Sequence, residues 1–341
     1  MIIYLPVPIV MNIYKGDYFW GNYFSFITSF VIYFAIQNNS CFYKKSYVEL
    51  VVKLTRVYAV ILSAEIVYKS LELYHYGMFT SKYKTELIIN LGGSNTIGFY
   101  LLLLFFVIYF MQKNIYDKAL LFLIFICVVL TSSRGTLLVL FIVYFSAQPI
   151  RKKMILLFSS LMLGILFLGQ TIFNNTADIH PFFAGHGNDI SSGRFVILSR
   201  AYDLIKNNIL SGVGFGNFTV PEFQYSNIER WRPHNILLEI QLGGGLIATL
   251  LFVGVMLTLF VRFRANMKRV RLLNGIYFGV AAILLQGMFE PNIFSYRVDT
   301  YFWFFVGMAM VISREVDSRR GVIFQVAFYH SSVTPAQPRL N

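Results

Sequence analysis

Charge is scarce in this chain. Only 13% of its 341 residues are Asp, Glu, Lys or Arg, against 57% hydrophobic. Soluble domains carry about 25% charged residues, so half that share excludes a surface that mostly faces water. Acidic residues are the scarcest: 16 against 29 basic ones give a net charge of +13. The basic residues gather in short clusters between apolar runs, not along one face, and so argue against nucleic acid as a partner. Cysteine is nearly absent. Cys41 and Cys127, one at the edge of an apolar run and one inside another, give neither a disulfide framework nor a metal site. The N-terminal "MIIYLPVPIVMNIY" lacks the basic n-region and small-residue cleavage site of a signal peptide. An internal repeat, which would favour a secondary transporter, is also missing.

What is present is a series of apolar runs, each close to the ~20 residues a helix needs to cross hydrocarbon. Windows of that length predict spans near 18–36, 47–68, 92–111, 117–131, 134–148, 154–172, 235–261, 272–290 and 298–313. With a partial or interfacial helix at 1–14, this is an all-α polytopic membrane protein of nine to ten helices. Its single membrane domain covers 1–313, and a cytoplasmic tail follows at 314–341. The span at 47–68 carries Glu49, Lys53, Arg56 and Glu65, so that face must turn to protein or water. The pair 117–131 and 134–148, separated by little more than "SSR", reads as two half-helices or one bent hairpin.

Lys44 and Lys45, Lys113 and Lys118, Arg151 to Lys153, Arg262 to Arg271 and Arg314 to Arg320 fall on one side of these spans. By the positive-inside rule that side is cytoplasmic. The segment 173–234 then faces outward, and its five basic residues are balanced by five acidic ones. It carries no topology signal, so its polarity serves something else.

Within this outer segment Ser191 or Ser192 can cap a helix that Arg194 opens. Phe195, Leu198, Tyr202, Ile205 and Ile209 recur at helical spacing opposite Arg200, Asp203 and Lys206. An amphipathic helix of this kind lies on a membrane face or roofs a cavity. "SGVGFGNF" ends it. Gly212, Gly214 and Gly216 follow a helix, not a strand, and so read as a turn and not as a nucleotide fingerprint. "RWRPHN" then sets His234 and Asn235 where the next span begins. An interfacial polar residue needs no function, but an imidazole there can also accept a proton near neutral pH. Arg134 lies in an otherwise apolar stretch at the same predicted surface. A guanidinium there costs about 2.5–3.5 kcal/mol on insertion scales and wants an anionic partner. Glu65 and Glu290 are the candidate carboxylates, with Glu290 and Asp299 flanking the last outer turn; Glu290 is favoured as counter-ion over a role as an extra base. Arg134, Arg194 and His234 together suit a substrate whose leaving group is a diphosphate. His180 and His186 sit six residues apart in a glycine loop without Cys, a poor metal site.

"SSRGTLL" (132–138), "SSGRFVIL" (191–198), "LIKNNILSGVGFGNF" (204–218) and "PHNILLEIQLGGGLIATLLF" (233–252), in this order, resemble the bacterial O-antigen ligase and O-antigen polymerase superfamily, inner-membrane glycosyltransferases of the GT-C type. The likeness covers residues 117–262. Arg134 with Leu138 matches one family arginine pattern, Arg194 the loop arginine, and His234–Asn235 the His-Asn that heads the span after the loop. Gly245 follows as the family has it, whereas Ala248 replaces a later glycine, small for small.

The resemblance implies a metal-independent, cofactor-free, inverting enzyme whose active site faces the periplasm. Its substrate would be an oligosaccharide on undecaprenyl diphosphate, and a chain-length-regulating membrane protein is a possible partner. Arg134 and Arg194, with Asn235 and Glu290 as further substrate contacts, would bind diphosphate and glycan, and His234 would serve the acceptor hydroxyl. Polymerisation of repeat units is the favoured reaction, on the compact outer segment and the aromatic content. Ligation to lipid A–core is the alternative. A lipid or polysaccharide transporter is the rival from another class, and a non-catalytic assembly subunit a third reading.

Overall fold

The computed structural model describes residues 31–39, 44–78, 83–148, 194–214, 218, 233–267, 269–290 and 296–318. The predicted segment 1–14, the span 154–172, the histidines His180 and His186, most of the outer segment and the tail beyond 318 lie outside the described residues, so they are not placed. After a helical stretch at 31–37 come α1 (Lys45–His75), the single turn α2 (Tyr83–Glu86), and a hairpin of β1 (Ile88–Ile89) and β2 (Gly92–Gly93). Then follow α3 (Ser94–Met111), α4 (Ile115–Leu130), α5 (Arg134–Ala147), α6 (Arg194–Asn207), α7 (Ile236–Asn266), α8 (Arg271–Gly287) and α9 (Tyr296–Ser318). Helices hold 82% of the described residues, so the chain is mostly helical, as expected. The antiparallel hairpin pairs only Ile88 with Gly93 and Ile89 with Gly92.

The centre of the bundle is α3. Its sequence is apolar on every side, and Ile97 through Ile108 are all buried, as a helix without a polar face must be. Along it α8 runs antiparallel in close contact. A Cβ on Gly275 would stand 2.8 Å from the Val107 Cα and 3.0 Å from the Phe106 carbonyl, so a small residue is what lets the two backbones approach. Both Ser94–Met111 and Ile236–Asn266 are long and apolar enough to cross a membrane, with mean hydropathies of 1.9 and 2.4; Arg134–Ala147 and Arg271–Gly287 are apolar but shorter. Leu54, Val57 and Ile61 on α1, Phe122 on α4, and Leu250, Leu257 and Val261 on α7 are each more than half exposed. Soluble proteins rarely show so much contiguous apolar surface; a bundle solvated by lipid has no reason to hide it.

On the charged face of α1, Arg56 and Glu65 are paired, whereas Glu49 and Lys53 are exposed. Arg56 binds the carboxylate of buried Asp117 on α4 at 2.7 Å and donates to the Met111 carbonyl at 3.2 Å. Glu65 accepts from the Asn90 backbone N–H at 3.0 Å, which pins the hairpin turn just ahead of α3. The short pair after α3 is a hairpin: α4 and α5 are joined by Thr131, Ser132 and Ser133, with Ser132 at φ 51°.

Reading along these antiparallel packings, Lys113 and Lys118, Arg262, Arg269 and Arg271, and Arg314 collect at one end of the bundle. Arg262 reaches Asp317 there at 3.6 Å, and Asn266 donates to the same carboxylate at 3.1 Å. The opposite end receives the starts of α3, α5 and α7 and the end of α8. α9 continues as helix through Ser318, past residue 314 where the tail was expected.

Two sequence expectations change. The run 235–261 is not one straight helix: Gly245 takes φ 70°, ψ −168°, and breaks α7. The buried side of α6 is Ile197, Ala201, Leu204 and Ile205 against Leu242, whereas Leu198, Tyr202 and Ile209 of the predicted apolar stripe are exposed. Apolar residues recur on two adjacent stripes of this helix. Packing takes the one carrying Ala201, whose small side chain permits close approach.

Candidate active site

Four helix ends meet opposite the basic end, and each delivers a polar residue. Asn235 precedes α7 and caps it, its Oδ1 accepting from the N–H groups of Leu237 at 3.0 Å and Leu238 at 3.1 Å. Its amide also donates to the Met288 carbonyl just beyond α8, at 3.3 Å. This ties the start of α7 to the end of α8. His234, one residue earlier, is held at φ 50°, a left-handed backbone that costs a non-glycine residue about 1–3 kcal/mol and persists only when its surroundings fix it. The result is an imidazole aimed at Glu290: Nδ1 lies 3.1 Å from Oε2, with the histidine 29% and the glutamate 15% exposed. An ionised carboxylate only accepts, so the proton between them sits on Nδ1, and in the neutral imidazole Nε2 then carries the lone pair.

The same oxygen of Glu290 accepts from the Asn95 amide at 3.1 Å, in the first turn of α3. Asn95 in turn accepts from the Ser133 hydroxyl at 2.9 Å. Ser133 accepts from the Thr136 hydroxyl at 2.9 Å, and Thr136 from the Gln286 amide at 3.0 Å. Finally the Glu290 N–H donates to the Gln286 carbonyl at 3.0 Å. The four side-chain bonds run one way, from Gln286 to Glu290, and polarise one another; the backbone bond closes this ring of α3, α5 and α8.

Ser133 also caps α5, so Arg134 is the first residue of that helix. On either side of Arg134 the chain touches this ring: Ser133 through its hydroxyl, and Gly135, where a Cβ would lie 3.3 Å from the Gln286 side chain. The guanidinium itself belongs to an exposed residue. The expected ion pair does not form: Glu290 meets His234 and Asn95 through Oε2, and Glu65 accepts from the Asn90 backbone. Arg134 has no hydrogen-bond or ion-pair partner among the described residues. The starts of α3, α5 and α7 add the partial positive charge of their free N–H groups to this end. Arg194 opens α6, but its side chain lies outside the described residues. Among those residues no cluster of three His, Cys, Asp or Glu side chains is arranged to hold a metal ion.

The broken helix explains the glycine-rich turn. Opening α7 at Gly245 removes the bond that the Leu246 N–H would make to the Leu242 carbonyl. Both groups are recaptured by the turn after α6: Val213 N–H donates to Leu242 at 2.6 Å, and Leu246 N–H donates to the Ile209 carbonyl at 2.8 Å. The Gln241 amide also donates to Ile209, at 2.8 Å. Gly212 at φ 64° and Gly245 at φ 70° are the contact itself. A Cβ on Gly212 would stand 2.5 Å from the Leu242 carbonyl, and one on Gly245 would overlap Leu210. A break in an apolar helix is tolerated when the freed groups find new partners.

Residues 119–253 match the family described as O-antigen ligase. That stretch is similar to the O-antigen ligase and polymerase superfamily. The matched stretch runs from α4 to the middle of α7 and includes Arg134, Arg194, His234, Asn235 and the Gly245 break. Asn95, Gln286 and Glu290, which complete the ring around His234, lie outside it. A search of the curated proteins returns no match. The family match supports a membrane protein of ligase or polymerase type acting on lipid-linked glycans.

Asn95, Ser133, Thr136 and Gln286 are absent from the residues that sequence reasoning singles out. Gln286 had a signal, being an amide deep in an apolar span four residues ahead of Glu290. Ser133 had another, as a cap directly before Arg134.

Proposed function

We propose that this protein is an inner-membrane glycosyltransferase that moves an oligosaccharide from undecaprenyl diphosphate to a hydroxyl acceptor, at the periplasmic end of the bundle. The observation that carries the reading is the His234–Glu290 pair, at the end where Arg134 has no partner among the described residues. Nε2 of His234 takes the acceptor proton while Nδ1–H stays on Glu290, which stabilises the imidazolium that forms. This is the triad logic applied to sugar transfer. The acceptor oxygen forms its bond to the anomeric carbon as the bond to the diphosphate oxygen breaks. Arg134 and Arg194 meet the charge that grows on the leaving diphosphate, aided by the helix starts around them. Asn235 holds His234 in place by tying α7 to α8. Glu290, a substrate contact on the sequence reading, is here the partner of His234. The chemistry uses no metal or cofactor.

The acceptor in this reading is a second lipid-linked repeat unit, which makes the reaction polymerisation. The family's description favours a second reading, ligation to lipid A–core. Purified protein incubated with lipid-diphosphate glycan tests the enzyme: release of carrier diphosphate with an elongated acceptor supports transfer, and unchanged donor counts against it. A deletion strain separates the two acceptors. Single-repeat surface glycan means polymerase; long chains left on the carrier with uncapped core mean ligase. Movement of intact donor across vesicles without cleavage would instead mean a transporter.

A further inference from the structure

At the basic end of the bundle, far from His234, the halves of α3, α4 and α5 enclose an open groove of about 410 Å³. Six aromatic side chains line it: Phe105, Tyr109, Phe122, Phe125, Phe141 and Tyr144. Their rings brace one another edge to face, Tyr109 with Tyr144 at 5.3 Å, Phe105 with Tyr144 at 5.9 Å and Phe125 with Phe141 at 6.3 Å. Gln148 fixes the Tyr109 hydroxyl with a 2.7 Å bond. Walls held this way do not collapse inward, so the slot is preformed. Phe122, 65% exposed, extends one edge outward.

The groove is polar at one end only, where Gln112 and Lys118 line it. Lys118 lies in the first turn of α4 beside Asp117, yet that carboxylate is committed to Arg56 at 2.7 Å and to the Lys113 N–H at 2.7 Å. Lys118 is exposed and has no hydrogen-bond or ion-pair partner among the described residues. At the start of α4 the Asp117 N–H is taken by the Asn114 side chain at 2.9 Å, and the remaining N–H groups of the first turn add partial positive charge at the same point.

We infer that this groove binds an anionic phospholipid, with one acyl chain among the aromatic rings and the phosphate on Lys118 and Gln112. An apolar slot in a lipid-facing surface selects a chain, and Lys118 at its mouth, uncompensated among the described residues, selects the headgroup charge. The site is on the opposite end from the transfer chemistry and stands without it.

Native mass spectrometry of delipidated, full-length protein titrated with phosphatidylglycerol or phosphatidylcholine tests it. One phosphatidylglycerol is expected to persist per chain under conditions that strip phosphatidylcholine. Lys118→Gln is expected to weaken it about fivefold, the usual worth of one basic residue facing anionic lipid. Lys113→Gln, on an exposed residue outside the groove, is expected to leave it unchanged, and so is His234→Ala. Equal retention of the two lipids, or equal loss from Lys113→Gln and Lys118→Gln, overturns the assignment. Displacement of the phosphatidylglycerol by a polyprenyl phosphate also overturns it, giving the groove to the carrier's tail instead.

Discussion

Nδ1 of His234 stands 3.1 Å from Oε2 of Glu290, joining the start of α7 to the end of α8 across 56 residues of sequence. The pair fixes the tautomer of the imidazole, and with it which nitrogen is available to an acceptor hydroxyl. If Nε2 is the base, His234→Ala is expected to lower glycan transfer by about 10²–10⁴-fold. Protein levels in the membrane should not change, because the histidine is partly exposed and caps nothing. Transfer assayed with purified protein and lipid-diphosphate glycan checks this, and near-normal chains from the variant would remove His234 from the chemistry.

Glu290 is held by two donors on one oxygen, so its charge is the feature to test. Glu290→Gln keeps the size and an acceptor but discards the charge that stabilises the imidazolium. Hydrogen bonds to charged groups contribute about 1.5–3 kcal/mol, so a loss of roughly 10–100-fold in kcat is expected. KM for the donor should move little. A large rise in KM with kcat intact would make Glu290 a substrate contact, as first read from the sequence, in place of the partner of His234.

The sequence made the element types readable because long apolar runs leave a membrane helix no alternative. It exposed His234, Arg134 and Glu290 because a polar residue in such a run is conspicuous. The ring that links them was not legible. Asn95 and Ser133 sit at helix starts, where Asn and Ser are ordinary caps, and only packing shows that the Ser133 hydroxyl turns to Asn95. The Gly245 break was hidden for the opposite reason: glycine is common in membrane helices, and "LGGGL" reads as continuous hydropathy. Which stripe of α6 would be buried depended on Ala201 meeting Leu242, a long-range fact.

Asn95 carries the ring's load on Glu290, donating to it and accepting from Ser133. Asn95→Leu removes both bonds while leaving an apolar residue of similar size at the start of α3. About a tenfold drop in kcat is expected, from the loss of one hydrogen bond to a charged acceptor. A shift in the pH profile of transfer should accompany it, since the carboxylate facing His234 has lost a donor. A drop in activity with an unshifted profile and a lowered Tm would reduce Asn95 to a structural residue.

Arg134 is the cation whose geometry matters as well as its charge. A guanidinium binds two phosphate oxygens at once, and an ammonium acts as a point charge. Arg134→Lys is therefore expected to recover little of the activity lost in Arg134→Ala, with both raising KM for the lipid-diphosphate donor. Kinetics at varied donor concentration check this. Full activity in the lysine variant would show that only charge is required.

Gly245 and Gly254 lie on the same helix nine residues apart, and they separate backbone necessity from glycine content. At Gly245 the backbone is left-handed and a side chain would overlap Leu210. At Gly254 a Cβ would meet nothing within 4 Å. Gly254→Ala is expected to be neutral or stabilising by up to about 1 kcal/mol, the helix propensity difference. Gly245→Ala is expected to cost about 1–3 kcal/mol from backbone strain alone. It should also dislodge the turn at Ser211–Val213, because the Leu242 carbonyl and the Leu246 N–H would re-form their helical bond and release Val213 and Ile209. Thermal unfolding in detergent measures the first effect, and proteolytic susceptibility of the turn the second. If Gly245→Ala leaves both unchanged, the straight helix is accessible at no cost and the break in α7 does not hold the glycine-rich turn.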